Sequence, residues 1–279
     1  LKNIKNCGGK FMTMIGLATL GVGAAQAQTT SWTYTALGDS VATGAFAMKG
    51  YVPRYRDFVA ADNNVSVTLY NQARNSDTSI GLLTVLSQFS DIATRVGSSQ
   101  VITFNIGGND LRNGRDSYRA GTCGGTDNQD CLRTNNAKFK TNFDASIKKI
   151  LTLRGLPLNG TPNTSTIIRT MDVYNPYVNT DKASDTWKGD DDLTQGGVQS
   201  LNNFQVFKPY VDDMNSYIQT ISAQYNIPCA RVYAAFNGPN GDIDPSAYGY
   251  IQWDGLHPND KGHGVIATLL RNLGYAPLR

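Results

Sequence analysis

The chain has 279 residues, of which 40% are hydrophobic and 17% charged, a balance that supports a folded core and excludes a disordered or low-complexity protein. The formal net charge is +3, but Lys2, Lys5 and Lys10 lie in an N-terminal stretch without acids. Residues 28–279 are therefore neutral, which argues against nucleic acid as a partner.

The first 27 residues read as an export signal: the three lysines, an apolar run from Phe11 to Ala25 broken by Gly16, Gly21 and Gly23, and a small-x-small cleavage pattern at Ala25-Gln26-Ala27. The apolar run is too short and glycine-rich for a good membrane span, so no stable span is expected once the signal is removed. Residues 1–27 are thus expected to be a signal peptide, and 28–279 a single domain of a secreted, monomeric protein.

Short β-rich apolar runs follow at about Trp32–Leu37, Val65–Tyr70, Val101–Ile106, Thr166–Val173 and Ala230–Ala234. Helical patterns lie between them. One covers "SIGLLTVLSQFSDIATRV", with Ile80, Leu83, Leu86 and Ile92 near one face, and another holds Phe139, Phe143, Ile147 and Ile150. The longest runs from about Leu201 to Tyr225, and the last carries Val265, Ile266, Leu269 and Leu270 with Pro258 just inside its start. Alternating strands and helices predict an α/β fold of three α/β/α layers, with a mostly parallel five-stranded sheet in the flavodoxin-like order 2-1-3-4-5.

Residues 179–200 are polar and acidic and read as a surface excursion, with Asp190 to Asp192 a solvated loop rather than a cation site. Asn240, Asp242 and Asp244 alternate like calcium ligands but lack a closing glutamate, so a glycine-proline loop is preferred. With two histidines and no Cys-x-x-Cys pair, no metal site is expected. Cys123 and Cys131, close together in a polar glycine-rich segment, read as a local disulfide. It suits an oxidising compartment, and Cys229 reads as a buried thiol. The polar segment around Cys123 reads as a surface loop that shapes a rim of the substrate pocket, with Tyr118 as a wall, or else as a remote stiffened loop.

In a sheet of this kind ligands bind at the carboxyl ends of the strands. There the sequence places Gly38-Asp39-Ser40, then Asn71, Ala73 and Arg74, then Gly107-Gly108-Asn109-Asp110, and near the C-terminus Asp254 and His257. Each has a bland reading alone: Gly-Asp-Ser and Gly-Asn are ordinary turn chemistry, and Asp254 could cap a helix. Together they contain what ester hydrolysis needs. Ser40 requires a base, His257 can supply it, and Asp254 can accept the imidazole Nδ1 proton. The Asn109 amide and the backbone N–H groups of Ser40 and Ala73 can receive the oxyanion. His263, the rival base, sits inside the last helix without a carboxylate three residues before it.

These blocks, in this order and across nearly the whole of residues 28–279, make the sequence similar to the SGNH hydrolases, also called the GDSL lipase/esterase family. The Asp254-x-x-His257-Pro258 and Gly-x-Asn109-Asp110 blocks carry the resemblance. It implies Ser40 as nucleophile, His257 and Asp254 as its partners, and Ser40, Ala73 and Asn109 as the oxyanion hole. It also implies the three-layer fold, no metal and no organic cofactor. The family often has Gly where this chain has Ala73; a backbone donor tolerates Ala if its dihedrals permit. The expected function is a secreted serine esterase or lipase acting on small-molecule, lipid or polysaccharide esters. The alternatives are a carbohydrate acetyl esterase and a catalytically silent binding protein.

Overall fold

The computed structural model describes residues 30–183 and 201–279. The expected signal and Asp190 to Asp192 lie outside them. Five strands, β1 (Ser31–Gly38), β2 (Ser66–Asn71), β3 (Val101–Asn105), β4 (Ile167–Met171) and β5 (Cys229–Ala230), form one sheet in the order β2-β1-β3-β4-β5. Every neighbouring pair is parallel.

Successive strand residues point to opposite faces, and the sheet has a separate apolar core on each. Leu37, Ile102, Phe104 and Ile168 pack on one side with α3 (Ser79–Gln88), α4 (Ser90–Ser98), α5 (Gly108–Arg119), α6 (Asp130–Leu153) and α8 (Asn203–Gln224). Tyr34, Ala36, Val101 and Ile167 pack on the other with α1 (Ser40–Thr43), α2 (Tyr51–Asn63), α9 (Val232–Asn237) and α10 (Asp260–Asn272). The short α7 (Val178–Lys182) follows β4. Both faces are covered, as an all-parallel sheet requires, and the three-layer α/β/α expectation holds.

Local departures from the sequence reading have identifiable causes. The stretch from Ser79 to Ser98 is two helices, because Phe89 adopts an extended conformation between them. Within the first of these helices the buried face is Ser79, Leu82, Val85 and Leu86, so Ile80, expected on that face, is exposed. The fifth strand stops after Ala230, where the buried Asp172 carboxylate accepts the Tyr233 N–H at 2.7 Å and starts α9. Pro258 lies outside α10, since the Asn259 side chain caps it by accepting the Gly262 N–H.

The largest departure is the segment after Asn109, expected as a loop. Its first half is α5, whose Arg115 and Tyr118 are buried. Arg115 pairs with the equally buried Asp181 of α7 at 2.5 Å and lies over the Tyr177 ring. A polar residue made internal by a charge partner reads as surface in a sequence. The Cys123–Cys131 disulfide is present, with Cys123 in the core beside Tyr118. Neither cysteine nor Tyr118 lines the cleft described below, so the rim-shaping role is replaced by a role in packing. Cys229 is partly buried, and burial pushes its thiol pKa well up.

Candidate active site

The site is assembled where β1 and β3 end side by side. Gly38 pairs with Asn105, and its φ of 142° leaves no room for a side chain: a Cβ there would lie 2.5 Å from the Asn105 carbonyl oxygen. The chain then turns at Asp39, which caps α1 by accepting the Val41 N–H at 3.0 Å. Ser40 becomes the first residue of that helix, so its own N–H has no acceptor within the helix.

Beneath Ser40 lies a buried polar chain. Tyr51 Oη donates to Asn105 Oδ1 at 2.7 Å, and Asn105 Nδ2 donates to Asp39 Oδ1 at 3.0 Å. Burial raises the Asp39 carboxyl to about 6, and its hydrogen bonds to Val41 and Asn105 oppose the rise. Asn105 and Tyr51 were not singled out in the sequence. Asn105 ends the third apolar strand beside the serine junction, and that position was a usable signal. Tyr51 offered none, because α2 shows no sharp periodicity of its own.

The imidazole comes from a tight turn before α10. Asp254 Oδ1 accepts the N–H groups of Leu256 and His257, both at 3.0 Å, and Asp254 Oδ2 meets His257 Nδ1 at 2.5 Å. Gln252 N–H bonds the His257 carbonyl at 2.8 Å, and Tyr174 Oη bonds the Leu256 carbonyl at 2.6 Å, which fix the turn. His257 Nε2 lies 2.8 Å from Ser40 Oγ. Partial burial works to raise the Asp254 carboxyl. The hydrogen bonds from His257 and the two amides outweigh it and hold the group below its ordinary value, so it stays anionic.

The expected oxyanion donors are placed unequally. Asn109, in the first turn of α5, lines the same cleft as Ser40 and His257, and its Nδ2 donates to the Asp77 carbonyl at 2.8 Å. Ala73 does not line the cleft, and its N–H bonds Asn71 Oδ1 at 3.2 Å. Asp110 is a structural tie: its buried carboxylate accepts the N–H and hydroxyl of Ser79 at 2.9 and 2.6 Å and joins α5 to α3. His263 is fully buried, with Nδ1 accepting the Tyr51 N–H at 3.2 Å, and burial lowers its pKa to about 4.

From Ser40 the cleft runs between α5 and α8 and is walled by Leu111, Val173, Tyr177, Phe207 and Val211. The walls on α8 carry no mark in the sequence, where Phe207 and Val211 are two apolar residues of the long helical pattern. Outside this lining Phe46 stands against His257, and Trp253 stands against Phe46. No group of His, Cys, Asp or Glu among the described residues is arranged to hold a metal ion. Asp244 instead accepts the Asn179 and Ser246 N–H groups at 3.0 and 2.9 Å. Among the described residues no helix is long and apolar enough to cross a membrane.

The arrangement can deprotonate a serine hydroxyl, hold the resulting imidazolium against a carboxylate, and seat an apolar group beside the reacting centre. Residues 34–270 match the family described as GDSL-like Lipase/Acylhydrolase. The spore germination lipase LipC of Bacillus licheniformis is 23% identical over 248 residues, covering 88% of this chain and 97% of its own. Among solved structures, the lipase Lip_vut3 from a goat rumen metagenome aligns with a TM-score of 0.67 at 22% identity, covering 89% of this chain and 100% of its own. An acetyl xylan esterase from Geobacillus stearothermophilus aligns with a TM-score of 0.57 at 15% identity, covering 90% and 98%.

Proposed function

The chain belongs to the GDSL-like lipase/acylhydrolase family and is a carboxylic ester hydrolase, and from that premise we propose that it works through an acyl-enzyme on Ser40. The observation that carries the proposal is the unbroken line from Asp254 through His257 to Ser40, with contacts of 2.5 and 2.8 Å, opening on an apolar cleft.

Ser40 Oγ attacks the ester carbonyl while His257 Nε2 takes its proton. Asp254 keeps the other ring proton on Nδ1, so that Nε2 is free to accept. The carbonyl oxygen becomes an anion received by the Ser40 N–H and the Asn109 amide. The Ala73 N–H serves as a third donor only if it leaves its 3.2 Å bond to Asn71 and turns into the cleft, whose lining does not include it. As the C–O bond breaks, His257 returns the proton to the leaving alcohol. Water then repeats the sequence on the acyl-enzyme.

The cleft favours an acyl group with an aliphatic chain. Beyond Ser40 it is lined by Leu111, Val173, Phe207 and Val211, side chains that suit an apolar acyl group. Export of the protein rests on the N-terminal pattern and on a disulfide that suits an oxidising compartment. The test is titration with an alkyl phosphonate followed by peptide mass spectrometry. One equivalent on Ser40 with loss of esterase activity supports the proposal, whereas labelling elsewhere or full activity after labelling rejects it. A series of esters from acetate to octanoate should then give rising kcat/KM over the first few carbons. A maximum at acetate favours the acetyl esterase alternative.

A further inference from the structure

Phe46, Met48 and Trp253 are 63%, 95% and 84% exposed, among the most exposed large apolar side chains described. Two of them are gathered at one place. The Phe46 ring lies 5.4 Å from the His257 ring and 5.7 Å from the Trp253 ring, centroid to centroid. Core packing does not explain rings that protrude into water.

The loop that carries Phe46 is built to hold it there. Phe46 has a φ of 63°, a left-handed conformation that costs a bulky residue energy and persists only when its surroundings impose it. They do so here. Gly44 and Gly50 pack so closely that a Cβ on either would come within 2.9 Å of the other's Cα. The N–H groups of Met48 and Lys49 are held at 3.1 and 3.0 Å by the two oxygens of Asp260 at the start of α10. Trp253 belongs to the turn that presents Asp254 and His257, so its place is tied to the imidazole.

The reaction assigns a purpose to this side of the histidine. The leaving alcohol receives its proton from His257 Nε2, so its oxygen must approach that atom, and whatever the oxygen carries lies outside the acyl cleft. We propose that Phe46 and Trp253 form a leaving-group subsite that grips a neutral alcohol with a ring-sized apolar or C–H face. The inference rests on the Ser40–His257 reading above. Neutrality follows from the pairing of the nearby charges: Lys49 with Asp57 at 2.6 Å, Arg54 with Asp260 at 2.9 Å, and Asp254 with His257. An aryl alcohol and a pyranose share the required face. In acylation the Ser40 Oγ–carbonyl bond forms, the carbonyl–alkoxy bond breaks, and the proton on His257 goes to the departing oxygen. The subsite is then vacated, so it acts on acylation and not on hydrolysis of the acyl-enzyme.

The test uses butyrate esters of ethanol, benzyl alcohol and a methyl glucopyranoside, all as dissolved monomers, so that the acyl group is constant. Trp253→Ala should lower the kcat/KM ratio of a ring alcohol to ethanol by about tenfold, the loss of one ring-sized apolar contact. Phe46→Ala should act in the same direction, and Trp253→Phe should restore most of the ratio. The hydrolysis rate of the common butyryl-enzyme should not change. The benzyl and glucoside arms show which ring the site accepts, and an effect on either supports the subsite. Ratios unchanged in both alanine variants overturn it. So does an equal loss on all three esters, or a loss seen only with emulsions or phosphatidylcholine vesicles, which would make the rings a lipid-docking surface. Ser40→Ala with full activity rejects the underlying mechanism, whereas an inactive Ser40→Ala with unchanged ratios rejects the subsite alone.

Discussion

His257 and His263 stand on either side of the start of α10 and have been given opposite surroundings. His257 sits in a turn, with its side chain 12% exposed, between a carboxylate and a serine hydroxyl. His263 is fully buried in the helix, where its Nδ1 accepts the Tyr51 N–H and its ring stacks on Tyr51. Burial lowers its pKa to about 4, which keeps it neutral at neutral pH. One ring is placed to exchange a proton, the other to refuse one. The difference comes from the neighbours: Asp254 reaches His257 from within the same turn, while no carboxylate bonds His263. Tyr51 joins the two, since its N–H goes to His263 and its hydroxyl to Asn105 beneath Ser40.

The contrast breaks if the two histidines can be exchanged in importance. His257→Ala should lower kcat/KM for a short-chain ester by about 10⁶-fold, the scale found when a serine–histidine pair loses one member, and Ser40→Ala should match it. Both variants should keep the wild-type melting temperature within about 3 °C, because each removes a partly exposed side chain. A His257→Ala enzyme with activity near wild type would end the proposed mechanism.

Asp254→Asn sharpens the contrast by leaving His257 in place with the wrong partner. An Asn oxygen can still accept the Leu256 and His257 N–H groups now held by Asp254 Oδ1. Its amide would then face Nδ1, which leaves the ring proton on Nε2, pointing at Ser40. The loss should be about 10⁴-fold in kcat/KM, smaller than for His257→Ala. The ranking is checked by single-turnover kinetics on both variants; the reverse order contradicts it.

How much of this contrast could be seen in the sequence follows from how local its causes are. Asp254 and His257 are three residues apart, and the spacing alone suggested their contact. Gly38-Asp39-Ser40 and Asn109 fall at strand ends, which the apolar runs located well. The parallel, doubly covered sheet also followed from alternation, whereas alternation sets the order of its strands only weakly. What stayed hidden depends on partners distant in the chain. Arg115 reads as surface until Asp181 is seen beside it. Phe207 and Val211 are unmarked apolar residues of a helix until α8 is placed along the cleft, and the strand expected at Ala230–Ala234 is stopped by Asp172, far upstream. Phe46 gave no sign of its left-handed backbone, because the ties that impose it come from Asp260.

The buried histidine should also be visible in stability. A folded-state pKa of about 4, below the ordinary 6.5, means that the unfolded chain takes up the proton first. His263 therefore contributes stability above pH 6.5 that is lost as pH falls towards 4, at most about 3 kcal/mol. Asp39 has the opposite sign in the same range: raised to about 6, it binds its proton more readily when folded, so it adds stability as pH falls. A single stability curve would mix the two. The difference between wild type and His263→Gln isolates the histidine, because Gln can still accept the Tyr51 N–H but does not titrate. Denaturant melts at pH 7 and pH 4.5 should show the wild type losing stability relative to the variant. A constant difference would mean that His263 titrates normally in the folded protein.

The smallest effect is expected at the residue that joins the two sites. Tyr51→Phe keeps the ring that stacks on His263 and the N–H that bonds it, and removes only the hydroxyl that donates to Asn105 Oδ1. That buried acceptor then lacks a donor, which should cost about 1–2 kcal/mol of stability. Activity should suffer less. Asp39 is held at the end of β1 by the Val41 N–H as well as by Asn105, and α1 keeps its cap without Tyr51. Ser40 should therefore keep its place, with kcat/KM reduced by no more than about fivefold, the effect of roughly 1 kcal/mol. Urea melts and ester kinetics on the same preparation separate the two quantities. A loss of activity on the scale of His257→Ala, in a protein that still folds, would show that the polar chain beneath Ser40 positions the nucleophile itself, and the division between a working and a supporting histidine would then fail at Tyr51.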